Sequence, residues 1–226
     1  MGRSGNLGME EILEQVKEGR NLEEIVSDHL LLLYLIKKHE EASDRYLGIT
    51  KLQKYVFLSE NLMNKNCLKG LNYNFFRYNY GPMSKQLYTD INLFKKLGLI
   101  YKERIKLTEK GNEIIKKFQE LFLRNKKIIE KIDNQIETLG QMDTEEIKEF
   151  VYNIKKYIGC HEMKIKDIPM FLGILSKLKE ENAKAKFDLS EEDIETLNLL
   201  LDDDTRKTIS QITFPKEKSV PFQALV

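Results

Sequence analysis

The chain has 226 residues, 41% hydrophobic and 32% charged, with a mean hydropathy of −0.46. That is enough for one large domain or two small ones, and its densest apolar run, Leu30 to Ile36, is far too short for a membrane span. The net charge of +1 hides an uneven distribution: residues 1–50 net −4 (6 basic, 10 acidic), residues 51–130 net +10 (17 basic, 7 acidic) and residues 131–226 net −5 (14 basic, 19 acidic).

The first eight residues, MGRSGNLG, lack the apolar region of a signal peptide. They also miss the myristoylation pattern because position 6 is Asn. They read as a leader, with Met9 as an alternative first residue. Helical periodicity covers Met9 to Val16 and Leu22 to Lys38, with Ser27 or Asp28 as cap if the second segment starts later. Leu30 to Ile36 are consecutive apolar residues, which predicts a central core helix. A charged loop ends at Gly48. Ile49 to Met63 is then amphipathic, with Thr50 as cap. Residues 64–71 form a turn-rich connector.

Tyr73 to Tyr80 alternates with strong aromatic content and reads as a strand. Gly81-Pro82 breaks it. Pro82 suits the first turn of the next helix, with Ser84 as a second capping option. Leu87, Ile91, Phe94 and Leu97 share one helix face, and Gly98 suits the position just past the helix end. Leu99 to Arg104 and Ile105 to Leu107 are expected to pair as a short β-ribbon. Thr108 caps a helix from Glu109 to Phe122, with a continuation towards Gly140.

Gly140 is the best candidate boundary. Beyond it, helices are expected near 143–158 (Asp143 or Thr144 as cap), 167–183 and 190–201, the last with the capping pattern Ser190-x-x-Asp193. The tail from Thr213 is expected to be irregular. The fold class is therefore mostly α, a winged helix-turn-helix-like core with a short β-ribbon and a helical C-terminal extension. The parts are 1–24 (leader and N-terminal helix), 25–139 (core) and 140–226 (extension).

An aromatic strand, a Gly-Pro stop, an amphipathic helix and a basic ribbon follow one another in the order of the back half of a winged helix. Pro82 to Leu97 would be the recognition helix, presenting Ser84, Lys85, Gln86, Tyr88, Thr89, Asn92, Lys95 and Lys96. Lys102, Arg104 and Lys106 would form the wing. Asn and Gln pair with adenine, while Lys reaches phosphates or guanine. A solvated helix of any function shows such a face too, and winged domains bind proteins as well as DNA. Arg77, among the rings of Tyr73, Phe75, Phe76, Tyr78 and Tyr80, is expected to stack on them or pair with a carboxylate. Those rings suit single-stranded bases, although filling a core is the simpler reading for most of them.

Nothing in the sequence forms a catalytic motif: there is no GxSxG, HExxH, P-loop or GxGxxG. Cys67 and Cys160 lie far apart, and His29, His39 and His161 are scattered, so no metal spacing arises. The expectation is no enzyme, no cofactor, no metal, and a cytoplasmic location.

The block Ile49-Thr50-Lys51-Leu52-Gln53-Lys54-Tyr55-Val56-Phe57-Leu58, then Phe76 to Ser84 (FRYNYGPMS), then Leu87-Tyr88, resembles the Panacea, or SocA-like, domain over roughly residues 25–125. Met83 stands where the family commonly has Val, the Trp often found near the turn is absent, and the acidic region after Gly140 is extra. The resemblance implies a helical, winged-helix-like fold and a non-enzymatic role, as an antitoxin that neutralises a toxin or as a protein adaptor. The expected partner is a toxin-like protein or double-stranded DNA, with no membrane and with a homodimer through the C-terminal helices. A DNA-binding winged-helix transcriptional regulator is the alternative.

Overall fold

The computed structural model describes residues 19–201. The leader, the expected helix at Met9 to Val16 and the tail from Thr213 lie outside the described residues. The described chain is mostly helical with small sheets, and none of its helices is long and apolar enough to cross a membrane.

The core is built on α1 (Leu22–Ala42) and α2 (Ile49–Lys65). Helix α1 starts at Leu22, as its periodicity implies, and not at the later start that Ser27 or Asp28 would cap. Asn21 accepts a hydrogen bond from the Glu24 backbone N–H at 2.9 Å, and Glu24 accepts one from the Asn21 N–H at 3.1 Å. This capping box satisfies two of the helix's unpaired donors. Leu30 to Ile36 are all buried, as a helix apolar all round requires. Helix α2 has Gly48, not Thr50, at its N-cap, without a side-chain bond.

A connector, residues 66–84, carries three short strands: β1 (Leu68–Lys69), β2 (Phe75–Tyr78) and β3 (Gly81–Met83). Pro82 is therefore not in a helix first turn. It lies in β3, opposite Arg77 of β2, on an edge strand where a missing N–H costs no ladder bond. Helix α3 (Lys85–Lys96) follows. It ends as expected: Gly98 has φ +68, Leu99 N–H donates to Phe94 O at 2.9 Å, and Gly98 N–H to Lys95 O at 3.3 Å. That is a Schellman closure. The expected ribbon over 99–107 is reduced to one bridge between Ile100 and Leu107, because four of its residues, Tyr101 to Arg104, turn out into solvent.

The long helix expected after Thr108 is broken into α4 (Glu109–Lys117), α5 (Gln119–Arg124) and α6 (Lys126–Leu139). Thr108 caps α4 by accepting from Gly111 N–H at 3.3 Å. Helix α6 lies across both α1 and α2 and buries Ile128, Ile129, Ile132, Ile136 and Leu139. Helix α7 (Thr144–Tyr152) begins with the expected Asp143 cap and packs Ile147 and Val151 into the same core.

The helices expected at 143–158 and 167–183 need correction. The first stops at Tyr152, and β4 (Lys155–Ile158) and β5 (His161–Lys164) form an antiparallel hairpin. The second is absent: Pro169 and Gly173 interrupt it, leaving one-turn 3-10 segments at Ile165–Asp167 and Glu180–Asn182 and the strands β6 (Gly173–Leu175) and β7 (Ala185–Lys186). Strand β6 pairs with β2, and β7 runs parallel to β1. The segment after Gly140 thus completes sheets begun before it. Helix α8 (Glu191–Leu201) starts with the expected capping box, Ser190 and Asp193 exchanging bonds at 2.9 and 3.1 Å.

Candidate functional site

The two motifs of the sequence meet in space. Gln53 of α2 grips the backbone of Ser84 with both ends of its amide: Nε2 donates to Ser84 O, and Oε1 accepts from Ser84 N–H, each at 2.9 Å. Lys54 donates to Pro82 O at 2.8 Å. Lys51 reaches the other way, donating to Gly140 O at 3.2 Å and Met142 O at 2.7 Å, where a cation completes the carbonyl end of α6. The polar letters of this motif are therefore buried backbone clamps. Gln53 and Lys54 hold the end of the β2–β3 hairpin from which α3 departs, and Lys51 holds the end of α6.

Among the described residues, Arg77 neither pairs with a carboxylate nor stacks on the rings of its own strand. Its Nε donates to Ile165 O at 3.0 Å, and its guanidinium lies 5.3 Å from the Tyr152 ring centre. Burial first, and the nearby Arg77 second, push the Lys54 ammonium down to about 7. A group with a lowered folded value contributes stability above its unfolded value, and loses it as pH falls through the folded one. Relative to Lys54→Met, the wild-type urea midpoint is therefore expected to rise between pH 7 and about 10. Parallel curves for the two proteins would show that folding leaves the Lys54 ammonium at its ordinary value.

On its inner side, α3 is anchored by a buried charge centre. Asp90 is fully buried and accepts from Arg20 at 2.9 and 3.1 Å, from Tyr73 Oη at 2.7 Å, and lies 3.1 Å from His29 Nε2. Arg20 also holds Asp28 at 2.8 Å, and Asp28 accepts from Asn72 N–H at 2.7 Å. Burial acts to raise Asp90, but His29 and Arg20 outweigh it and hold its carboxyl well below the usual range. Asp28 is pushed up to about 6, by burial first and partly offset by Arg20. Burial, then Asp28, holds Glu60 of α2 well above the ordinary carboxylate range. The centre ties the residue before α1, α1 itself, the approach to β2, and α3 into one unit.

The outer side of α3 differs. Lys85, Tyr88, Asn92 and Lys96 are exposed, and Thr89 and Lys95 half-buried beside them. Asp90 is the helix's single acidic residue and points inward, so the outward side keeps three lysines without a carboxylate of its own helix. Lys102, Arg104 and Lys106 are exposed on the turn that follows, with Arg104 against the Tyr101 ring. Two of the predicted face residues belong elsewhere. Ser84 is buried and held by Gln53, and Gln86 is buried with its Oε1 accepting from Asn74 N–H at 3.0 Å. Both sit in the first turn, which rests on the hairpin rather than on solvent. Arg77 is likewise fixed beneath that hairpin.

The sequence reading missed Arg20, Asp28 and Asp90. Asp90 did carry a signal, since its spacing from Leu87, Ile91 and Phe94 puts a carboxylate on the apolar stripe of its helix.

Among the described residues, no group of three or more His, Cys, Asp or Glu is placed to hold a metal ion. A surface recess between α1 and the β1–β7 pair, lined by Glu24, Lys69 and Asn72, has a volume of about 20 Å³, room for one water rather than a substrate. Comparison with protein-family models, curated proteins and solved structures finds no match.

Proposed function

We propose that the chain is a non-catalytic binding protein, antitoxin- or adaptor-like, with a winged-helix-like arrangement in which the outer side of α3 and the turn after it meet an acidic partner protein. The observation that carries this reading is the sorting of charge on α3, one carboxylate locked inside by Arg20 and three lysines outside. Rigid anchoring from within suits a presented face, because little order is lost on binding. The resemblance to the Panacea domain and the net +10 of residues 51–130 point the same way.

The test is co-purification with the product of the adjacent gene. The triple substitution of Lys85, Lys95 and Lys96 by Glu is expected to abolish the complex while leaving the far-UV CD spectrum unchanged. Undiminished recovery of the partner would overturn the role of this face. A second reading, a duplex-DNA regulator, is favoured by the basic turn at Lys102, Arg104 and Lys106 beside the helix. It requires gel retention of duplex DNA that weakens steeply with salt, as counterion release dictates. No retention at low salt would eliminate it.

A further inference from the structure

A second surface adds the strap at residues 169–172 and strand β2 to this face, and shares Lys85, Tyr88 and Lys96 with it. Residues 169–172 are strapped along β2 by two backbone bonds, Phe171 N–H to Arg77 O at 2.7 Å and Arg77 N–H to Leu172 O at 2.8 Å. The strap holds Phe171 at φ +67, a left-handed conformation that a bulky residue rarely adopts, and leaves it 70% exposed. The ring does not drop into the core. It lies 5.8 Å from the Tyr78 ring centre, and Tyr78 lies 6.1 Å from Phe76. Tyr88 is exposed on the outer side of α3, the helix that leaves the β2–β3 hairpin directly after Ser84. Lys85 stands one turn before Tyr88, and Asn92 and Lys96 follow it. Rings on the strap and β2 and amines on α3 are thus carried by elements that follow one another through the same hairpin.

We propose that this surface binds a single strand of nucleic acid, bases stacking on Phe171, Tyr78 and Tyr88 and phosphates running past Lys85 and Lys96. Base–aromatic stacking beside a basic track is how sequence-tolerant single-strand binding works. A duplex hides its base faces from such rings. The polyanion matches the charge of the track, and backbone strain kept at an exposed ring is the kind found at functional sites.

The experiment is fluorescence anisotropy of the full chain with labelled dT20, rU20, a 20-base-pair duplex and poly-L-glutamate, from low to physiological salt. Wild-type protein is expected to bind dT20 or rU20 more tightly than the duplex. Phe171→Ala and Tyr88→Ala are each expected to weaken single-strand binding about tenfold, and Phe171→Ala, which lies off the α3 face, to do so with unchanged melting temperature and unchanged recovery of the protein partner. Lys85→Glu should weaken it with a shallower salt dependence. No binding of either oligonucleotide at low salt, or equal affinity of Phe171→Ala and wild type, would overturn the inference while leaving the protein-partner reading standing. Poly-L-glutamate affinity that falls with Phe171→Ala would also overturn it, by showing that the rings serve a protein.

Discussion

Asp90→Ala is expected to lower the free energy of unfolding by about 3–5 kcal/mol, the usual cost of stranding a buried charge. Arg20, 1% exposed, would keep Asp28 but lose both bonds to Asp90, while His29 and Tyr73 would each lose an acceptor. Urea denaturation at pH 7 reads this directly. Because Arg20 also neutralises the buried Asp28, it is the triple variant Arg20→Met, Asp28→Asn, Asp90→Leu that removes the cation with both of its carboxylates and is expected to recover most of the loss. A loss below about 1 kcal/mol for Asp90→Ala would mean that the centre is solvated and does not anchor α3.

The pH dependence of the same centre has two opposing parts. Asp90 is lowered by folding, so its contribution is present above the unfolded value near 4 and disappears as acid reaches its folded value. Asp28 is raised, so its contribution is full below about 4 and disappears as pH rises through about 6.

Gly81→Val is expected to cost about 2–4 kcal/mol, from two sources. Gly81 has φ +93, where a β-branched residue is strained, and a Cβ there would lie 3.1 Å from Tyr152 Cε1 and 3.5 Å from Lys54 Cε. The expected fall in Tm is roughly 5–15 °C. Combining Gly81→Val with Tyr152→Ala separates the sources, since it removes the crowding but keeps the strain. It also removes the bond from Tyr152 Oη to Asn79 O at 2.8 Å, so Tyr152→Ala alone is the reference. An unchanged Tm for Gly81→Val would show that the hairpin re-forms without its left-handed residue.

What could be read from the letters alone was local. Leu30 to Ile36 announced a core helix, Gly98 a helix stop, and Thr108, Asp143 and Ser190 helix starts, because capping and periodicity act within a few residues. The strands after Tyr152 were not read. The apolar run around Met170 to Leu175 mimics helical spacing, yet what decides it is pairing with Phe75 and Phe76, which no local pattern reports. The site was half legible for the same reason. Lys85, Tyr88, Asn92 and Lys96 are exposed as their period implies, whereas Ser84 and Gln86 look equally polar but face a neighbouring backbone. Lys51, Gln53 and Lys54 are polar letters in an amphipathic helix, and their buried carbonyl partners lie well outside any local window.

The pairing of β6 with β2 and of β7 with β1 also sets a timetable for the nascent chain. Phe75 waits for Leu175, and Leu68 for Ala185, so each partner leaves the ribosome about 100 residues later. At ordinary elongation rates that is a delay of roughly 5–20 s. During it, helices α1 to α3 and the β2–β3 hairpin can assemble, but one edge of β2 stays open. An open edge recruits other strands, so a translational pause between Gly140 and Gly173 would lengthen the interval in which two growing chains can pair with one another instead of each closing on itself.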